Sequence, residues 1–351
     1  GLEVGGQVIA SRAKAQRIQA ILGGKATHAV CGIPGGMSKP LTNPDEVAEI
    51  RSHCRDLVEF GKFTLQLFDA VVLKNAAYVD LIRNGPYTMK TYYMGLVDPE
   101  GRVTFYDGTL RVIDEDGAEF LRFDPRRYTD HIAEHVEPWS YLKFPYLKAI
   151  GWKGLVTGKD SGVYRVAPLA RLNVATGMAT PVAQEAFEQY FQVLGPGPVH
   201  ATLANHWARV IELMYAAERC LELIEDPEIC SPEVRTIPTG IVGEGVGVVE
   251  APRGTLFHHY RTDEQGFVTR CNMLVATGNN NAAICMSIRD AAKGLIRKGV
   301  EVTEGILNQI EMAFRAYDPC FGCATHSLPG QMPMEVRILD PHRVVRHSIV
   351  R

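Results

Sequence analysis

Residues 44–73 carry one apolar stripe of helical period, and that stripe restricts the chain to folds in which a long helix lies along a core. Val47, Ile50, Cys54, Leu57, Gly61, Leu65 and Phe68 recur at steps of three and four, the spacing that stacks side chains on one helix face. Asn43 supplies an N-cap, and Pro44 suits the first helical position, where its missing N–H costs nothing. Further stripes predict helices over about 7–22, 181–194, 199–225 and 303–317. In 199–225 the stripe is Leu203, Trp207, Val210, Ile211, Met214, Ala217 and Leu221; in 303–317 it is Ile306, Leu307, Ile310, Ala313, Phe314 and Tyr317. The run Gly195-Pro196-Gly197-Pro198 breaks the chain between 194 and 199, and Pro319 stops the last helix.

The pattern changes twice. Between about 90 and 123, short apolar and aromatic runs are separated by Asp98-Pro99-Glu100-Gly101, Asp107-Gly108 and Asp116-Gly117, which read as turns between strands. A second β region spans 246–276, with its turn at Asp263-Glu264-Gln265-Gly266. No internal repeat or low-complexity linker interrupts the chain. The expected fold class is mainly α, a multi-helix fold with small β insertions. The expected organisation is one large domain over 1–351, with a β-rich insertion at about 90–123 and a C-terminal extension at 327–351 containing a strand at Met334–Leu339.

Composition removes several classes of partner. A formal net charge of −3 leaves no basic footprint for nucleic acid. No run of about 18 apolar residues offers a membrane span. Eight cysteines in 351 residues are too dilute for a disulfide scaffold. Cys31, Cys54, Cys220, Cys230, Cys271 and Cys285 stand alone and read as small buried residues. Thiols used in this way point to a reducing compartment. The start, Gly1-Leu2-Glu3-Val4, has neither an initiator Met nor a signal pattern, so an upstream segment is expected.

The chemistry concentrates in Asp318-Pro319-Cys320-Phe321-Gly322-Cys323-Ala324-Thr325-His326. The spacing of Cys320 and Cys323 lets both sulfurs face one centre, and His326 can reach the same neighbourhood. Thiolates suit soft or borderline metals such as nickel, iron(II) or zinc. Pro319 fixes φ, and Asp318 can accept from the amides that follow. A zinc site needs about four protein ligands, and no second close cysteine pair completes one. A redox dithiol normally follows a strand and opens a helix, whereas this pair follows a helix. Both readings fit poorly.

Asp-Pro-Cys-x-x-Cys-x-x-His resembles the C-terminal signature of nickel-iron hydrogenase large subunits. Three further blocks resemble that family in the same order. They are Gly23-Gly24-Lys25 with His28 and Pro34-Gly35-Gly36; Tyr164-Arg165-Val166-Ala167-Pro168-Leu169-Ala170-Arg171-Leu172-Asn173, with Ala167 where a glycine is expected; and Glu250-Ala251-Pro252-Arg253-Gly254. The resemblance implies a hydrogenase large-subunit fold and the reversible heterolytic cleavage of dihydrogen. It implies a nickel-iron centre with carbonyl and cyanide on iron, bound by Cys320 and Cys323. It also implies a magnesium ion bound by His326. Arg253 matches the guanidinium above the open metal position, and Asp318 matches its anionic partner. Pro252, Arg253 and Thr277 match positions lining the pocket for the iron's diatomic ligands.

One departure matters. The family draws its other two sulfur ligands from an upstream Arg-x-Cys-Gly-x-Cys motif, which this sequence lacks. Cys31-Gly32 sits inside the glycine-rich turn without a partner at that spacing, and Cys31 reads as structural. Residues 327–351 follow the histidine after which a maturation protease commonly cuts in this family, so the chain reads as an unprocessed precursor or an uncut member.

The expected mechanism pairs a metal Lewis acid with a thiolate base in a dry pocket, where Arg253 contributes a fixed positive charge held by Asp318. No iron–sulfur spacing and no dinucleotide fingerprint occur in this chain, so the electrons require a small iron–sulfur partner subunit. NAD(P)- or F420-linked subunits, a maturation protease and nickel chaperones are further expected partners. Leu256-Phe257-His258-His259-Tyr260-Arg261-Thr262-Asp263 resembles cytoplasmic members that reduce soluble cofactors, with His258 and His259 packed or exposed rather than ligands. Two rivals are a metal-free precursor or fragment bound by maturation factors, inactive in that form, and a complex I-like quinone reductase subunit. A third is a zinc-binding interaction module. The intact Cys320, Cys323 and His326 argue against the quinone reductase.

Overall fold

The computed structural model describes residues 1–320 and 335–350, and in it the 44–73 stripe forms the helix Pro44–Phe68, continued by a π-helical turn over Asp69–Leu73. Asn43 caps it: its side-chain oxygen accepts from the Asp45 amide at 2.9 Å, a contact typically contributing about 1 kcal/mol. Two groups of contacts use the apolar face. Val47, Ile50 and Cys54 pack with Ile18 and Ile21 of the helix Leu2–Gly23 and with Ile224. Farther along, Val58, Leu65 and Phe68 pack against the main core around Trp207 and Met214 on the helix Asn205–Glu225.

That main core also takes Phe187 and Tyr190 from the helix Pro181–Leu194, and Leu169 and Leu172 from the short helix Pro168–Val174. The helix expected over 199–225 begins at Asn205 after a 3-10 turn, Thr202–Ala204. Asn205 holds this junction, donating to Thr202 O and accepting from the Leu169 amide.

A four-stranded sheet orders Glu119–Phe123, Thr109–Ile113, Tyr92–Val97 and Tyr164–Arg165, the last pair parallel and the others antiparallel. Every residue of Tyr92–Val97 is buried. Tyr93 and Val97 enter the main core, whereas Tyr92, Met94 and Leu96 enter a second core with Leu110, Val112, Tyr164 and Phe257. A strand apolar at nearly every position is covered on both faces, so this sheet lies between two cores. The expectation of a mainly α chain therefore holds only loosely: 44% helix stands beside 21% strand, a mixed α and β architecture. The added strand content includes the hairpin Ile132–Val136 with Lys143–Leu147, outside the two predicted β regions.

A three-stranded antiparallel sheet follows, Val268–Leu274, Gly254–Thr262 and Glu244–Ala251 in that order. The hairpin Ile132–Val136 with Lys143–Leu147 and the helices Asn281–Leu295 and Glu304–Arg315 complete the unit Gly1–Tyr317. No helix among the described residues is long and apolar enough to cross a membrane. A second unit, Asp318–Arg351, contains the strand expected near 334–339 at Glu335–Leu339, paired antiparallel with Val345–Val350. Asp340 closes that turn, accepting from the amides of His342 and Val344, each at 2.9 Å.

Candidate metal centre

Two of the blocks singled out in the sequence meet within the first unit, joined by the segment that carries Thr277. Glu250-Ala251-Pro252-Arg253-Gly254 is the tip of a hairpin, in which Pro252 and Arg253 turn between paired Ala251 and Gly254. The side-chain amide of Asn280 fastens the tip to the Tyr164–Asn173 block. It accepts from the Val166 amide at 2.9 Å and donates to Arg253 O at 3.3 Å. Asn279 does the same one residue earlier, accepting from the Tyr164 hydroxyl at 2.5 Å and donating to Thr255 O at 2.8 Å. Thr277 opens this asparagine run on the short helix Ala276–Asn279, half-buried, and its carbonyl accepts from the Asn280 amide. Pro252, Arg253 and Thr277 are thus tied to one region.

Beneath the hairpin lies a buried ion cluster. Arg171, on the helix Pro168–Val174, donates to both carboxylate oxygens of Glu212 at 2.6 Å. It also donates to Glu250 at 2.7 Å and to the carbonyls of Ala251 at 2.9 Å and Pro252 at 3.2 Å. Side-chain exposure is 1% for Arg171, 7% for Glu212 and 0% for Glu250, so these charges are compensated by one another and not by water. Glu250 accepts further from the Leu96 amide and the Thr255 hydroxyl. Burial raises the Glu250 carboxyl above its ordinary range, against the pull of Arg171. Burial alone would depress the Arg171 guanidinium, yet Glu212 and Glu250 hold it above its usual value. Removing one partner of such a cluster strands a buried charge, at a cost of about 3–5 kcal/mol.

A cavity of about 610 Å³ borders the cluster, lined by Phe68, Phe105 and Leu213 with Arg171, Glu212 and Pro252. Its walls are largely apolar, which disfavours water and strengthens electrostatic interactions nearby.

Ala167 is wholly buried with φ 83° and ψ 179°. That region belongs almost exclusively to glycine and costs another residue about 1–3 kcal/mol. The block's one departure from the glycine expected by resemblance therefore falls on a glycine-type backbone.

In the second unit Asp318 has φ 52° and, like Cys320, is half-buried. As a thiolate, Cys320 would offer a soft sulfur donor. Cys323 and His326 lie outside the described residues. Among the described residues no group of three or more His, Cys, Asp and Glu is arranged for a metal ion. The remaining block, 23–36, packs elsewhere, with Gly35 and Gly36 against Val234–Thr236. Cys31 within it is a half-buried free thiol. His258 shares a hydrogen bond with Tyr260, and His259 with Glu244 and Tyr128. In the second unit the sulfur of Cys320 is a donor suited to a soft metal; in the first, the Pro252–Arg253 turn stands beside an apolar cavity that Pro252 helps to line.

Sequence reasoning missed Glu212, Asn280 and the use of Arg171. A signal existed: Glu212 sits between Ile211 and Leu213, Arg171 between Ala170 and Leu172, and Glu250 follows Val248-Val249. A lone charge in an apolar stretch is buried only when paired.

Comparison with known proteins identifies the family. Residues 126–326 match the family described as nickel-dependent hydrogenase. The chain is 48% identical over 340 residues to a protein of Archaeoglobus profundus named as the iron-sulfur subunit of an F420-non-reducing hydrogenase, covering 97% of this chain and 70% of that protein. It is 38% identical to the NAD-reducing hydrogenase HoxS subunit beta of Cupriavidus necator, covering 95% of this chain and 67% of that one. Among solved structures, an NAD+-reducing [NiFe]-hydrogenase in the H2-reduced state superposes with a TM-score of 0.83 at 35% identity, covering 92% of this chain and 69% of that one. A [NiFeSe] hydrogenase from Desulfovibrio vulgaris Hildenborough, at 20% identity and a TM-score of 0.63 over 91% of this chain and 68% of that one, shares the fold.

Proposed function

The chain belongs to the nickel-dependent hydrogenases as their catalytic large subunit, and from that premise we propose the residues that perform the cleavage of dihydrogen into protons and electrons. The observation that carries this reading is the convergence of the Pro252–Arg253 turn with the Tyr164–Asn173 block and the Asn279–Asn280 pair, since it builds a rigid pocket wall around a cation.

Cys320 and Cys323 would supply two of the thiolates that hold the metals, and His326 would bind a magnesium ion. When bound, the nickel-iron centre supplies the Lewis acidity that polarises dihydrogen, with carbonyl and cyanide on iron. A thiolate sulfur of the cysteine pair would serve as the base for the proton. Arg253 would supply a fixed positive charge, and the resemblance gives Asp318 the part of its anionic partner. Pro252 and Thr277 line the pocket for the iron's ligands. The apolar cavity walls exclude water and keep the local dielectric low.

Electrons leave to a small partner subunit carrying iron–sulfur clusters. The relative named as NAD-reducing supports a further NAD(P)-linked subunit, and the one named as F420-non-reducing speaks against an F420-linked one. The protein works in the cytoplasm, where reduced thiols persist, and maturation factors, a protease and nickel chaperones, act on it.

Metal analysis tests this assignment. Purified under reducing conditions in its assembled form, the protein contains one nickel per copy of this chain and shows infrared bands of carbonyl and cyanide on iron, and Cys320→Ser loses both. Zinc in place of nickel, or nickel retained by Cys320→Ser, would overturn it.

A further inference from the structure

We propose that Arg171 is a positioning residue for Arg253, acting through the backbone of the hairpin tip and not through contact with substrate. This inference rests on the role given above to Arg253.

The geometry is specific to arginine. One guanidinium spans two carboxylates on separate elements and still donates to two consecutive carbonyls, Ala251 O and Pro252 O. Those carbonyls belong to the two residues that precede Arg253, so the peptide leading into Arg253 is held from below by a buried cation. Asn280 holds the Arg253 carbonyl itself. The hairpin tip is therefore fixed at three successive carbonyls by side chains from other parts of the chain.

The surroundings are shaped for this cation. Gly95 leaves the space that Arg171 fills, since a Cβ there would lie 3.1 Å from Arg171 Cγ. Phe105 presents its ring 5.6 Å from the guanidinium carbon. Glu212 and Glu250 supply the negative charge that keeps the guanidinium in a dry site. A purely stabilising ion cluster needs only the carboxylates. The two carbonyl bonds add nothing to charge balance, but they fix the direction in which the turn leaves the strand.

Lysine at 171 keeps the charge yet carries its three donors on a single nitrogen, and cannot span the same four acceptors. Glu212→Gln keeps an acceptor for Arg171 and leaves both carbonyl bonds in place, while removing a charge. The test compares the two in the assembled protein. Amide hydrogen exchange at Ala251, Arg253 and Gly254 is expected to quicken roughly tenfold in Arg171→Lys, matching loss of a hydrogen bond from a charged donor. In Glu212→Gln it is expected to stay close to wild type even as the unfolding temperature falls. Infrared bands of carbonyl and cyanide on iron are expected to shift in Arg171→Lys and not in Glu212→Gln. In Arg171→Lys kcat should fall on the order of a hundredfold, with KM for dihydrogen unchanged.

Unchanged exchange in Arg171→Lys, or equal acceleration in both variants, would make Arg171 a stabilising residue only and overturn the proposal. So would bands that do not move in Arg171→Lys. Absence of those bands from the wild type would instead overturn the role assigned to the metal pocket, while the exchange comparison still decides what Arg171 does to the hairpin.

Discussion

Val166 occupies the space that a side chain on Gly254 would need: a Cβ there would lie 2.1 Å from Val166 Cγ2. Gly254 also has φ 133°, a conformation that L side chains rarely adopt. Glycine at this point lets the hairpin tip press directly onto the mid-chain block. Gly254→Ala should destabilise the protein by about 3 kcal/mol or more, combining overpacking with backbone strain. Chemical denaturation checks this, and a loss below about 1 kcal/mol would show that the hairpin yields easily.

Ala167 offers the opposite experiment. Its backbone lies where glycine is nearly unstrained, and Ala167→Gly relieves a conformation costing about 1–3 kcal/mol while adding about 0.5–1 kcal/mol of chain entropy to the unfolded state. The variant should be more stable by about 1 kcal/mol, seen as a higher denaturation midpoint at unchanged m-value. A lower midpoint would mean that the buried methyl outweighs the strain.

Arg253→Lys should retain nickel and iron, because Arg253 is assigned no ligand role, yet lose kcat on the order of a hundredfold. A lysine places its charge at a single point and lacks the paired donors of a guanidinium. Full activity in the metal-loaded variant would remove Arg253 from the mechanism.

His200 stacks on Tyr93 at 5.8 Å between ring centroids, with Nδ1 2.6 Å from the Tyr93 hydroxyl. Burial, reinforced by the nearby Arg165 charge, depresses it from 6.5 to about 4. The unfolded chain therefore binds a proton below about pH 6.5 that the folded ring refuses. Stability contributed by the neutral ring is present above pH 6.5 and declines as the pH falls toward 4. The slope should stay below about 1.4 kcal/mol per pH unit, because part of the ring is reached by solvent. Denaturation midpoints followed across that window should lose this slope in His200→Gln.

Legibility from sequence followed the range of the interaction. Pro44–Phe68 was readable because its apolar stripe and its Asn43 cap are local. Pro181–Leu194 ended as expected because Gly195, at φ 105°, cannot continue a helix. The helix Pro168–Val174 shows no stripe, since nearly every residue in it is buried. Asn281–Leu295 was not expected, and it opens with Asn281, whose side chain donates to a carbonyl as distant as Lys143 O. The run from Asp318 to His326 is contiguous in sequence, and its residues 321–326 lie outside the described ones. The cluster around Arg171 joins residues 41 and 79 positions apart, and only folding shows which lone charges meet.

The central claim is that this chain's pocket splits dihydrogen heterolytically, so that two protons and two electrons leave it. Isotope exchange measures that step without any external electron acceptor. Under D2, with H2O as solvent, the reduced and assembled protein should form HD, and Cys320→Ser should form none. A protein containing its nickel and iron, yet producing no HD above a metal-free control, would contradict the account.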